Sequence, residues 1–244
     1  MSLPTRRHLG ALLAAALPGL APAGAATPDR KLKIVVTGGH PGDPEYGCGG
    51  TAARYAQQGH AVTFLYLNRG EKGCPEADPR LGSGVRVPEA EHACRLLKAR
   101  PVFAAQCDGN AIVDAAHYEE FRRLLETEKP DVVFTHWPVD NHRDHRAAAN
   151  LVYDAWLAAR KSFALYFYEV SNGEDTMMFP AAEYVDITAV EPLKKAACYA
   201  HRSQSPDRYY ALQDQVARFR GLECGFGRAE AFARHPLSPR GSLP

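Results

Sequence analysis

Apolar residues in this chain come in short runs set between segments of helical period. The stretch 31–37 (KLKIVVT) reads as a parallel strand buried on both faces that ends in Gly38-Gly39. A Gly-rich turn at 47–50 (GCGG) opens a predicted helix over about 51–58, which Gly59-His60 stops. The apolar run 61–67 is the second predicted strand, so the first forty mature residues form a right-handed βαβ unit.

Residues 69–87 hold several Gly and Pro and show no periodicity, which predicts a long loop. Pro88 is read as the start of a helix carrying Ala90, Ala93, Cys94 and Leu97 on one face. Further strands are expected at 101–105, 131–135, 164–170 and 183–187. Helices are expected at about 116–127, 142–160, 191–200 and 207–219. Strands and helices alternate throughout, with no internal repeat. The fold class that follows is α/β, a Rossmann-like three-layer α/β/α sandwich with a mostly parallel sheet in a single domain over 26–244.

The first 25 residues differ from the rest. Arg6-Arg7 precede an apolar run over 9–20, and Ala23-Gly24-Ala25 follows as a small-x-small cleavage site. This predicts a twin-arginine-like export signal and a periplasmic or secreted mature protein. The run is too short for a stable membrane span, and no later segment is long and apolar enough for one. A formal net charge of +1 gives no reason to expect nucleic acid as partner. The six cysteines lack a Cys-x-x-Cys pair, which argues against a cysteine zinc cluster; free buried thiols or one bridged pair are expected.

In open parallel sheets, ligands bind beyond the carboxyl ends of the strands. Two polar clusters fall at such ends: 39–45 (GHPGDPE) after the first strand, and 140–145 (DNHRDH) shortly after the fourth. Together they offer imidazole and carboxylate donors suited to a divalent metal. His142 and His145 share a helix face at i, i+3. Asp144 also suits the first turn of a helix, and Asp140 suits a cap or a carboxylate partner of a histidine. The turn after the first strand is no Gly-x-Gly-x-x-Gly fingerprint, which argues against a dinucleotide oxidoreductase.

These motifs, with His136-x-x-x-Asp140-x-His142-x-Asp144-His145, resemble the signatures of the PIG-L (LmbE-like) deacetylases. Supporting matches run through Asn68–Glu71, Arg86-x-x-Glu89-Ala90, Gln106-x-Asp108, Val185–Thr188 and His201-x-Ser203-Gln204. The resemblance implies a metal-dependent hydrolase, usually a zinc enzyme, that removes the N-acetyl group of an amino-sugar-type small molecule. It implies His40, Asp43 and His145 as ligands of one divalent metal. It assigns His142 to the oxyanion or the leaving amine, and Arg86 and Asp108 to substrate contact. One position departs from the pattern: the family places its general base, an Asp, where this chain has Gly42. Glu45, Asp140 and Asp144 are the carboxylates left as candidates for that role. A catalytically impaired metal- and sugar-binding homologue, or another metal-dependent reaction on a glycoside, stay open at this point.

Overall fold

A computed structural model describes residues 30–72 and 79–244. The export signal expected at 1–25 and part of the loop expected at 69–87 lie outside the described residues.

The strands are β1 (Lys33–Gly38), β2 (Ala61–Tyr66), β3 (Ala99–Phe103), β4 (Val132–His136), β5 (Ala164–Tyr168), β6 (Glu183–Asp186) and β7 (Ala229–Arg234). They form one sheet in the order β3-β2-β1-β4-β5-β7-β6. β1 to β5 run parallel, and β7 lies antiparallel between β5 and β6. The helices are α1 (Asp43–Gln57), α2 (Pro79–Leu97), α3 (Ala115–Glu128), α4 (Arg143–Ala158), α5 (Glu191–Ala200) and α6 (Pro206–Cys224).

Alternate strand residues face opposite layers, as the two-residue period of a strand requires. Ile34, Val36, Phe64, Phe134 and Tyr166 pack with residues of α1, α2, α5 and α6. Val35, Leu65, Val133, Leu165 and Phe167 pack with Phe121 and Leu125 of α3 and with Leu151, Val152 and Trp156 of α4. The three-layer sandwich with a mostly parallel sheet is thus the observed fold. No helix among the described residues is long and apolar enough to cross a membrane. Cys48, Cys94, Cys107, Cys198 and Cys224 are all free thiols.

Three elements differ from the sequence expectation. α1 begins at Asp43, not near residue 51, so the whole glycine cluster lies inside it. Those glycines serve packing: a Cβ on Gly47 would lie 2.3 Å from the Tyr168 ring. α2 begins at Pro79, and Pro88 sits within it. The helix passes through Pro88 at the loss of one backbone hydrogen bond. β7 was not anticipated. Its sequence, AEAFAR, is rich in residues depleted from strands, yet burial on both faces holds it in the sheet. β1 and β4 are neighbours, so their carboxyl ends bring the segments 39–45 and 136–145 together.

Candidate active site

Beyond β1 the chain turns tightly. The backbone N–H of His40 donates to Asp43 Oδ2 at 2.8 Å, and the N–H of Asp43 donates to the His40 carbonyl at 3.2 Å. Gly42 caps α1 with φ 111°, a conformation that side chains rarely adopt. From the first turn of the helix, Glu45 reaches back to accept the Gly42 N–H. Across the gap, His142 caps α4, its Nδ1 accepting the Asp144 N–H at 3.2 Å. Asp140 accepts the His142 N–H at 2.7 Å and the Thr176 hydroxyl at 3.1 Å.

These turns converge on one carboxylate oxygen. Asp43 Oδ2 lies 3.3 Å from His40 Nδ1, 3.3 Å from His145 Nε2 and 3.2 Å from His136 Nε2. The far nitrogens of the two outer rings meet carboxylates of their own. His40 Nε2 faces Asp144 at 3.1 Å and Asp108 at 3.2 Å; His145 Nδ1 faces Asp140 at 3.2 Å. His142 completes the group, its ring centroid 4.6 Å from those of both His40 and His145. Donor atoms of His40, His142 and His145 lie within 4.8 Å of one another, as do those of Asp43, His136 and His145. Imidazole and carboxylate donors whose outer atoms are held by further carboxylates suit a divalent metal such as zinc.

Charge in the cluster is strongly coupled. Burial opposes the positive form of His145, but the Asp43 charge and hydrogen bonds to Asp140 and Asp43 outweigh it, and its pKa is pushed up to about 9. Burial likewise opposes the charge on His40, yet its bonds to Asp108, Asp144 and Asp43 hold its pKa well above the usual histidine value. Burial would raise the Asp43 carboxyl; the charge of His145 and three histidine hydrogen bonds hold it well below the carboxylate range. His136 is driven the other way, to about 4, by burial and by the charge of His145. His142 is lowered by burial and by its two histidine neighbours.

The structure thus brings His40, Asp43, Asp108, Asp140, His142, Asp144 and His145 together. Asp144 lies behind His40, where it accepts the backbone N–H groups of Gly109 (2.7 Å) and Ala111 and the Asn68 amide. Glu45 turns into the protein, bound by the Tyr66 hydroxyl at 2.7 Å and by His201 Nε2 at 3.0 Å. Arg86 is buried beside a cavity of about 300 Å³ that His40, Asp43, His142 and His145 also line, and it donates to the Pro41 carbonyl. Glu89 is taken up by the backbone and hydroxyl of Ser203. Asp108 closes the same cavity near Lys72, whose backbone N–H it accepts at 3.0 Å. Two members were missed as site residues. His136 lies inside the His136-x-x-x-Asp140-x-His142 motif, and its place at the end of β4 is the signal for it. Asp175, on the cavity wall, had no local signal.

The cluster sits in the crevice of a mostly parallel α/β sheet, and its imidazole and carboxylate groups could hold a metal ion. A profile of the GlcNAc-PI de-N-acetylase (PIG-L) family matches residues 35–156. A conserved protein of Thermus thermophilus shares 30% identity at a TM-score of 0.74, covering 86% of this chain and 97% of its own. The chain therefore belongs to the PIG-L family. Its fold is also similar to that of the N,N'-diacetylchitobiose deacetylase of Pyrococcus horikoshii, solved with an inhibitor. That match has 22% identity, a TM-score of 0.74 and coverage of 85% of this chain and 87% of the other. A third similar fold is the 4-carboxy-2-hydroxymuconate hydratase of Pseudomonas putida, at 22% identity and a TM-score of 0.75, covering 87% and 98%.

Proposed function

We propose that this protein is a metal-dependent N-deacetylase that hydrolyses the acetamide of an N-acetylated amino sugar. The observation that carries the reading is the convergence of His40 Nδ1 and His145 Nε2 on Asp43 Oδ2 at the floor of the cavity, with His142 beside them. His40, Asp43 and His145 would hold one divalent metal, zinc by the chemistry of the donors. When bound, that metal supplies Lewis-acid polarisation of the acyl group and activation of water.

The remaining work falls to the chain. Asp144 and Asp140 hold the His40 and His145 rings by their far nitrogens, which fixes ring orientation. His142 accepts a backbone N–H at Nδ1, so its neutral ring carries the proton on Nε2. That N–H is available to the oxyanion that develops on the acyl oxygen. Arg86 and Asp108 face the cavity as substrate contacts. The family relationship and the deacetylase among its fold relatives support this reading. Product analysis by mass spectrometry tests it: incubation with N-acetylglucosamine oligomers yields acetate and a free amine in equal amounts, and release of any other product refutes it.

A second reading rests on Gly42, the position without a side chain. A catalytically impaired binding protein, or one performing a different metal-dependent reaction on a glycoside, would keep the metal and give no acetate. Export by the Arg6-Arg7 segment is a separate proposal. Replacing both arginines with lysine should retain the precursor in the cytoplasm, and unchanged export would refute that route.

A further inference from the structure

Hydrolysis of an amide needs a group that takes a proton from the attacking water, and Gly42 has none to offer. The carboxylates around the cavity differ in what already holds them. Asp140 accepts from the His142 N–H, His145 and Thr176, and Asp144 from two backbone N–H groups and Asn68. Glu45 is fully buried between Tyr66, His201 and the Gly42 N–H. Asp108 accepts from the Lys72 N–H and faces His40, and Asp43 faces three imidazoles.

Asp175 is different. It lines the cavity with His142 and His145, and among the described residues no hydrogen-bond donor reaches its carboxylate. Its backbone is firmly placed. Its N–H donates to the Ser171 carbonyl at 2.8 Å, and its carbonyl accepts the Asn141 N–H at 2.9 Å. The next residue, Thr176, forms a β-bridge with Asp140 and donates its hydroxyl to the Asp140 carboxylate. The loop that carries Asp175 is therefore tied to the segment that carries His142 and His145, leaving a fixed backbone with a carboxylate in the cavity that none of the described residues binds.

We propose that Asp175 is a further catalytic residue, the general base that replaces the carboxylate absent at position 42. The inference rests on the deacetylase reading. In the step, a lone pair of the water oxygen forms a bond to the acyl carbon, the C=O π pair moves onto the acyl oxygen, and the water proton passes to Asp175. The C=O bond then re-forms as the C–N bond breaks with its electron pair on nitrogen, which takes the proton held by Asp175, giving acetate and the amine. Burial raises the pKa of Asp175, as do the charges of Asp140 and Asp43, while His145 and His142 act against them. The neighbouring acid on its own loop, Glu174, is occupied by Arg208 of α6 at 2.8 Å.

The test compares the metal-loaded wild type with Asp175→Asn, Asp175→Ala and Asp175→Glu on N-acetylglucosamine oligomers. Metal content, melting temperature and glucosamine binding by calorimetry are read alongside. We expect Asn and Ala to lower kcat by roughly 10²–10⁴-fold, the usual contribution of a general base, with the other three readouts unchanged. Added formate should restore the Ala variant in proportion to its concentration, and Glu should retain part of the rate. A kcat for Asn within about tenfold of wild type overturns the proposal. So does loss of metal in the variants, or an Ala variant that formate does not restore. A wild type that releases no acetate refutes the deacetylase reading itself, and the base role falls with it. An active wild type with an equally active Asn variant refutes only the base.

Discussion

His40 Nε2 lies 3.1 Å from the Asp144 carboxylate, while the other nitrogen of the same ring faces Asp43 at 3.3 Å. The His40 ring is thus held between two carboxylates, one in the proposed metal site and one behind it. Asp144→Asn should weaken metal affinity by roughly 10–100-fold, the usual effect of removing such a partner. Competition against a coloured chelator measures this. Unchanged affinity with a large loss of kcat would instead assign Asp144 a direct part in proton transfer.

Metal uptake should release protons. In the metal-free protein the Asp43 charge pushes the His145 pKa up to about 9, so His145 is protonated at pH 7, and the carboxylates around His40 raise its pKa as well. His136, at about 4, is already neutral and has nothing to give up. Calorimetry of zinc binding in buffers of different ionisation enthalpy should show release of at least about one proton at pH 7, falling as pH rises through 9. Release near zero at pH 7 would contradict the charge assignment.

Removal of the metal should make stability depend on pH in two windows. The raised pKa of His145 adds stability to the metal-free fold that is fully present below its unfolded value of 6.5 and is lost as pH rises through about 9. The depressed pKa of Asp43 adds stability that is present above its unfolded value of 3.8 and is lost as pH falls through its lower folded value. Melting temperatures of the chelated protein should therefore fall between pH 6.5 and 9, whereas the zinc-loaded protein should not follow that fall. A metal-free melting temperature that rises across this window would refute the His145–Asp43 pairing.

The position of Gly42 makes a separate prediction. A Cβ there would sit 3.8 Å from the Tyr46 ring and 3.9 Å from His201, so space is present, but φ of 111° strains any side chain. Gly42→Asp should cost stability of about 1–3 kcal/mol. Combined with Asp175→Asn it should recover at least about tenfold in rate, because a carboxylate returns next to Asp43. Denaturant melts and single-turnover rates read the two effects separately. A double variant no faster than Asp175→Asn would show that position 42 cannot supply a base in this chain.

A buried ion pair joins β7 to α5, and its carboxylate also holds α1. Lys194 Nζ donates to Glu230 at 2.6 Å, and Glu230 also accepts the N–H groups of Gly50 and Thr51 and the Thr51 hydroxyl. Both side chains are almost fully buried. Lys194→Met leaves the Glu230 charge unpaired and should destabilise the fold by about 3–5 kcal/mol, with metal affinity unchanged. Urea unfolding checks the first part; a loss below about 1 kcal/mol would show that the backbone donors alone suffice.

Much of this architecture is legible in the chain itself. Runs such as IVV and VVF mark parallel strands buried on both faces, and the two polar clusters sit directly after them. The start of α1 is obscured because Gly47, Gly49 and Gly50 carry poor helix propensity, while the need for close packing against β5 and its surroundings is a tertiary fact. The start of α2 is obscured in the same way by Gly82, Gly84 and Pro88. The direction in which a side chain turns is less legible still. Asp140, Asp144 and Glu45 are equal candidates in sequence, and only the fold shows Asp144 behind His40 and Glu45 against Tyr66. Asp175 reaches the cavity through a bridge between Asp140 and Thr176, a contact that no local motif announces.

The central claim is that one metal, held by His40, Asp43 and His145, supports removal of an acetyl group. The most direct measurement is acetate release from N-acetylglucosamine oligomers by chelated protein, titrated with zinc. Activity should be absent at first, rise in proportion to added zinc up to one ion per chain, and stay absent in His145→Ala at the same stoichiometry. Full activity in the chelated protein, or an active His145→Ala variant, would contradict the account.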